Sequence, residues 1–134
     1  MKLDHIAIWT TNLEKVKEYY IKYFNAKAND LYVNNSNGFK SYFLSFDSGA
    51  RMEIMYKPDI PDNLNSCIEQ YKGIIHLAFD VETMEDVDKK AKELQADGYK
   101  ILKGPRKTGD GYYEFETIDP ENNRLEVIAK FTEK

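Results

Sequence analysis

The chain has 134 residues, of which 42% are hydrophobic and 31% charged, with a formal net charge of -4. That composition suits an ordinary globular domain, or two very small modules sharing one core. No Lys/Arg-rich block is present, which speaks against DNA or RNA as a partner, and no run of about 18 apolar residues offers a membrane span.

In chain order, residues 3–10 (LDHIAIWT) are apolar and β-rich and predict a strand. Asp4 and His5 break this apolar stretch, so it is not read as a signal peptide. Thr11 or Asn12 can cap a helix in which Leu13, Val16, Tyr20 and Phe24 recur at helical spacing, with Asn25 as its end. Residues 28–34 read as a weak strand, and 34–38 (NNSNG) as a turn. FKSYFLSF (39–46) and RMEIMY (51–56) form a hairpin around Asp47-Ser48-Gly49-Ala50. Lys57 to Lys72 is the least regular stretch, a linker or flap with room for a short helix around 64–71.

The pattern then restarts. GIIHLAFDV (73–81) predicts a strand, and Thr83 with Asp86 resembles a capping box. Val87, Ala91 and Leu94 make a helical stripe, with Gly98 as C-cap. YKILK (99–103) predicts a strand, GPRKTGDG (104–111) a glycine-rich loop, and YYEFETI (112–118) with RLEVIA (124–129) a second hairpin around residues 119–123. His5-Ile-Ala-Ile matches His76-Leu-Ala-Phe at an offset of 71, and Arg51-Met-Glu53-Ile matches Arg124-Leu-Glu126-Val at an offset of 73. An internal repeat of strand, helix and three strands follows: one domain over 1–134, with modules at 1–57 and 73–134 and a linker at 58–72.

Strand alternation decides which residues share a face. Each half has two strands with one aliphatic face, and an opposite face bearing a single His or Glu: His5, Glu53, His76 and Glu126. A carboxylate within an apolar strand is costly to bury alone, by several kcal/mol. Two imidazoles and two carboxylates suit a borderline divalent ion such as Zn, Ni, Co, Mn or Fe, with two octahedral positions left for substrate oxygens. The plainer alternative pairs the glutamates with Arg51 and Arg124 on neighbouring strands. Coincidence of both histidines and both glutamates at equivalent repeat positions favours the metal.

These residues resemble the vicinal oxygen chelate superfamily, which includes glyoxalase I, methylmalonyl-CoA epimerase, fosfomycin-resistance proteins, extradiol dioxygenases and bleomycin-resistance proteins. LDHIAIWTTNLEKVKEYY, RMEIM, GIIHLAFDV and DPENNRLEV carry the resemblance, which covers essentially the whole chain. It implies an α+β fold of two tandem βαβββ modules, forming a curved half-barrel sheet around a metal site. By position, His5, Glu53, His76 and Glu126 match the metal set of short bacterial glyoxalase I (lactoylglutathione lyase) enzymes. The implied cofactor is one divalent metal per site (Ni, Zn, Co or Mn). The implied partners are a small-molecule substrate and a second copy in a homodimer. The implied reaction is that of a glyoxalase I-like lyase or isomerase on an α-hydroxycarbonyl or its thiol hemithioacetal, through a metal-stabilised enediolate. Glu126 is the expected base and Glu53 its counterpart. Another superfamily enzyme (an epimerase or thiol transferase) and a small-molecule-sequestering protein are the alternatives.

Two positions depart from glyoxalase I. Trp9 stands where an arginine holds the glutathione carboxylate, and Lys57 where an asparagine contacts glutathione. The resemblance therefore implies the metal chemistry more strongly than it implies glutathione. Trp9 shares the His5 face and reads equally as pocket wall or core. Tyr112 and Tyr113 must face opposite ways, and hairpin packing is the better reading for them. Cys67 is the only cysteine, so no internal disulfide forms, which fits a reducing cytoplasm.

Overall fold

The computed structural model describes residues 1–133. It contains two compact units, Met1–Asp62 and Asn63–Lys134. In the first, β1 (His5–Trp9) leads into α1 (Leu13–Phe24), then β2 (Lys27–Ala28), β3 (Tyr32–Asn34), β4 (Phe39–Ser45) and β5 (Arg51–Tyr56). The sheet order is β1-β5-β4-β2, with β3 also on β4. In the second, β6 (His76–Asp80), α2 (Met84–Ala96), β7 (Ile101–Lys107), β8 (Tyr112–Ile118) and β9 (Arg124–Lys130) form the order β6-β9-β8-β7. In each unit the first and last strands pair in parallel, and the remaining ladders are antiparallel. This is an α+β fold of two βαβββ modules. Both sheets are open, and neither closes into a barrel.

Local chemistry sets the helix ends. Asn12 caps α1 by accepting from the Lys15 amide, and Asn25 ends it in the left-handed region at φ 56°. Thr83 and Asp86 form the full capping box on α2. At its other end Gly98 takes φ +91°, and the Tyr99 amide reaches back to the Leu94 carbonyl, 2.9 Å away.

Each helix packs on the aliphatic face of its own sheet. Val16 and Tyr20 of α1 are buried, as are Leu44, Met52 and Ile54 of its sheet. Val87 and Leu94 of α2 are buried, as are Phe115, Leu125 and Val127. Each such large side chain contributes about 1.5–3 kcal/mol. Tyr19 and Tyr23 join the α1 core beside the predicted stripe, whereas Phe24 is only half-buried. One tyrosine per unit also ties sheet to helix: Tyr42 OH donates to Glu14 at 2.5 Å, and Tyr113 OH to Asp88 at 2.7 Å.

Three expectations are corrected. The weak strand over 28–34 is two short strands; between them, Asn29 Oδ1 accepts from the Phe43 amide at 2.8 Å. No helix forms at 64–71, because Ser66 and Asn65 side chains capture the amides of Ile68, Glu69 and Tyr71. The strand predicted over 99–103 begins at Ile101 and runs to Lys107, so half of the predicted glycine-rich loop is strand. Shifts of register against β8 accommodate this stretch.

Candidate metal centre

The parallel ladders place the site residues in identical register. His5 stands opposite Arg51 and Ala7 opposite Glu53; His76 stands opposite Arg124 and Ala78 opposite Glu126. A methyl group opposite each glutamate leaves its carboxylate room to lean toward the histidine on the same strand face. His5 Nε2 lies 3.8 Å from Glu53 Oε1, and His76 Nε2 lies 3.2 Å from Glu126 Oε1. Both histidines are more than a third exposed, while the glutamates are 18% and 17% exposed.

His5 Nδ1 contacts Asp4 Oδ2 at 2.7 Å, and Arg51 Nη2 donates to the same oxygen at 2.9 Å. The His5 hydrogen bond, followed by Arg51, holds the Asp4 carboxyl below its ordinary range. Ionised Asp4 only accepts, so Nδ1 carries the hydrogen. In the neutral form of the ring, a donor at Nδ1 leaves the Nε2 lone pair turned toward Glu53. Two acceptors facing each other favour a cation between them, and an anchored Nδ1 is the usual support of a ligand histidine.

The second unit is built differently. Ile75 precedes His76, so no counterpart of Asp4 exists at that position. Instead β8 sets Glu116 opposite Glu126, with Glu114 two residues along on the same face. Arg124 is buried; its Nη1 pairs with Glu116, and Nη2 donates to the Ser66 carbonyl at 2.9 Å. Glu114 shares a hydrogen bond with Glu126, and its carboxyl is pushed up to about 7, first by burial and then by that bond and the Glu126 charge.

The arginines are therefore engaged by Asp4 and Glu116, not by Glu53 and Glu126. The donor chemistry of each pair fits a divalent ion. The structure brings His5 to Glu53 and His76 to Glu126, each pair within its own unit. Among the described residues, no group of three or more His, Cys, Asp or Glu side chains stands together as a metal cluster.

Sequence reasoning missed Asp4, Glu114 and Glu116. The signal for the two glutamates was the turn before β9. Asp119 Oδ1 accepts from the amides of Glu121 and Asn123, at 2.8 and 2.9 Å, and so fixes the β8–β9 register. Trp9 lies on the open face, 41% exposed, rather than in the core. Tyr112 is exposed on the open face of its sheet, while Tyr113 packs toward α2. Lys57 follows the last residue of β5 and is half-buried. Cys67 lies in the segment before β6, with Lys100 Nζ 3.8 Å from its sulfur. No helix among the described residues is long and apolar enough to cross a membrane.

Residues 2–127 match the model of the glyoxalase/bleomycin resistance protein/dioxygenase superfamily. A lactoylglutathione lyase of Schizosaccharomyces pombe is 25% identical over 96% of the chain and 47% of its own length. A Bacillus subtilis protein, YqjT, is 37% identical over 42% of the chain and again 47% of its own length. The chain thus spans about half the length of the whole lyase. Among solved structures, the fosfomycin resistance protein FosX of Listeria monocytogenes, complexed with Mn(II) and sulfate, superposes with a TM-score of 0.71 at 22% identity, covering 96% of this chain and 92% of that one. A glyoxalase I mutant of Zea mays reaches a TM-score of 0.77 at 20% identity, covering 95% of this chain and 44% of that one.

Proposed function

This chain belongs to the glyoxalase/bleomycin resistance protein/dioxygenase superfamily, and on that footing we propose that it is a metal-dependent, glyoxalase I-like lyase or isomerase. Its substrate in this reading is an α-hydroxycarbonyl compound or its thiol hemithioacetal. The observation that carries the proposal is the twinned His/Glu pair, held in one register on β1/β5 and again on β6/β9. His5, Glu53, His76 and Glu126 are the proposed ligands of a divalent ion (Ni, Zn, Co or Mn). When bound, such an ion supplies Lewis acidity toward two adjacent substrate oxygens.

The remaining work falls to the chain itself. The Glu126 carboxylate takes the proton from the carbon that bears the hydroxyl and sulfur, and returns it to the neighbouring carbonyl carbon. A second proton passes from the first carbon's hydroxyl to the neighbouring oxygen, so the product is an isomer of the substrate. Glu53 is the counterpart carboxylate. Asp4 orients His5, and Arg51 and Arg124 are held away by their own partners. A homodimer is part of the proposal, and a monomer mass by sedimentation equilibrium would remove that part.

The test is reconstitution with Ni²⁺, Zn²⁺, Co²⁺ and Mn²⁺, followed by assay of methylglyoxal adducts with several thiols. Isomerisation that depends on a stoichiometric ion and is lost in Glu126→Gln supports the reading. Absence of a stoichiometric ion, with His5→Ala leaving stability and activity unchanged, sinks it.

A further inference from the structure

Beside the His5–Glu53 pair, the open face of the first sheet changes character. The next row of the ladder places Trp9 beside Met55, Met55 beside Ser41, and Ser41 beside Tyr32. Phe39 lies on the same face and meets both outer rings edge-on, 6.1 Å from Trp9 and 6.0 Å from Tyr32 between centroids. Trp9 is 41% exposed and Tyr32 54% exposed, while Ser41 is buried. The row is thus a shallow aromatic cradle, with Met55 and Ser41 beneath and three rings around it.

The cradle lies two residues along β5 from Glu53, roughly 7 Å away. That is the reach of a ring attached directly to a reacting carbon. Arg51, the cation on the other side of Glu53, is held by Asp4 and lies over the Phe43 ring. Edge-to-face aromatic surfaces of this kind reward an apolar ring, and the three rings carry no formal charge to pair with a carboxylate.

Resting on the isomerase reading above, we infer that Trp9, Phe39 and Tyr32 make this site selective for substrates with an aryl substituent next to the vicinal oxygens, such as aryl 2-oxoaldehyde adducts. Trp9 and Tyr32 are its specificity-determining residues. A phenyl group buries several more apolar carbons than a methyl group at the same point, which corresponds to a preference of about tenfold or more.

Trp9 is the only tryptophan, so its emission reports on this cradle alone. The metal-loaded protein is titrated with mandelate and with lactate, which share one vicinal oxygen pair and differ only in phenyl against methyl. The expected result is a saturable change in Trp9 emission with mandelate and at least about tenfold tighter binding than lactate. Tyr32→Ala, which keeps the reporter, and Trp9→Arg, followed by calorimetry, should each reduce that ratio. Equal binding of the two acids, or a ratio unmoved in both variants, overturns the inference. If methylglyoxal adducts are still turned over in that case, the isomerase reading stands without it. Tighter mandelate binding with no turnover of any adduct keeps the aromatic site and removes the isomerase. Binding of neither acid overturns the inference.

Discussion

Asp4 accepts a hydrogen bond from His5 Nδ1 at 2.7 Å, and this contact decides which ring nitrogen faces Glu53. The Asp4→Asn variant keeps the shape but loses the charge that selects the tautomer. Loss of such a supporting partner lowers metal affinity about 10–100-fold. Competition against a calibrated chelator measures it directly. Affinity equal to that of the unaltered protein would show that Asp4 does not orient a ligand.

Arg51 and Arg124 occupy equivalent positions in the repeat, yet their burial differs. The Arg51 side chain is 42% exposed and its partner Asp4 63% exposed, whereas Arg124 is 4% exposed and Glu116 14% exposed. Arg51→Ala should cost under about 1 kcal/mol, as exposed ion pairs do. Arg124→Ala leaves the Glu116 charge and the Ser66 carbonyl without their partner and should cost about 3–5 kcal/mol. Urea unfolding followed by circular dichroism separates the two. Equal losses would refute the burial argument.

Tyr113 donates to Asp88, and its phenol is pushed up to about 12 by that bond first and by burial second. In the unfolded chain the phenol ionises near 10. Because the folded value is raised, the stabilisation is complete below pH 10 and is lost as pH rises toward 12. Tyr113→Phe should therefore be less stable by about 1 kcal/mol below pH 10, and its alkaline loss of stability should be shallower. Parallel stability curves for the two proteins between pH 9 and 12 would contradict this.

These contrasts also show what was legible in the sequence. Strand parity and the repeat are local features, and they were enough to place His5 with Glu53 and His76 with Glu126 on open sheet faces. Parity assigns a face but not a partner. The Asp4–Arg51 contact spans 47 residues and the Arg124–Ser66 contact 58, so neither could be read from spacing. The segment Gly104-Pro105-Arg106-Lys107 reads as a loop by composition, but pairing with β8 overrides that preference. The absent helix at 64–71 is the reverse case, in which side chains compete for the amides a helix would use.

Gly104 and Gly98 give the last prediction. Both have positive φ, +81° and +91°. A Cβ at Gly98 meets nothing within 4 Å, while one at Gly104 would lie 2.5 Å from the Glu114 carbonyl oxygen. Gly98→Ala should therefore cost only the left-handed penalty, about 1–2 kcal/mol. Gly104→Ala adds a clash with backbone that cannot rotate away, so β7 or β8 must shift at Glu114, beside Glu126. It should cost more than Gly98→Ala by about 1–3 kcal/mol and speed amide exchange along β8. Equal costs for the two variants, with β8 exchange unchanged, would mean that the β7–β8 contact yields without strain and that Glu114 is not held against Glu126 by it.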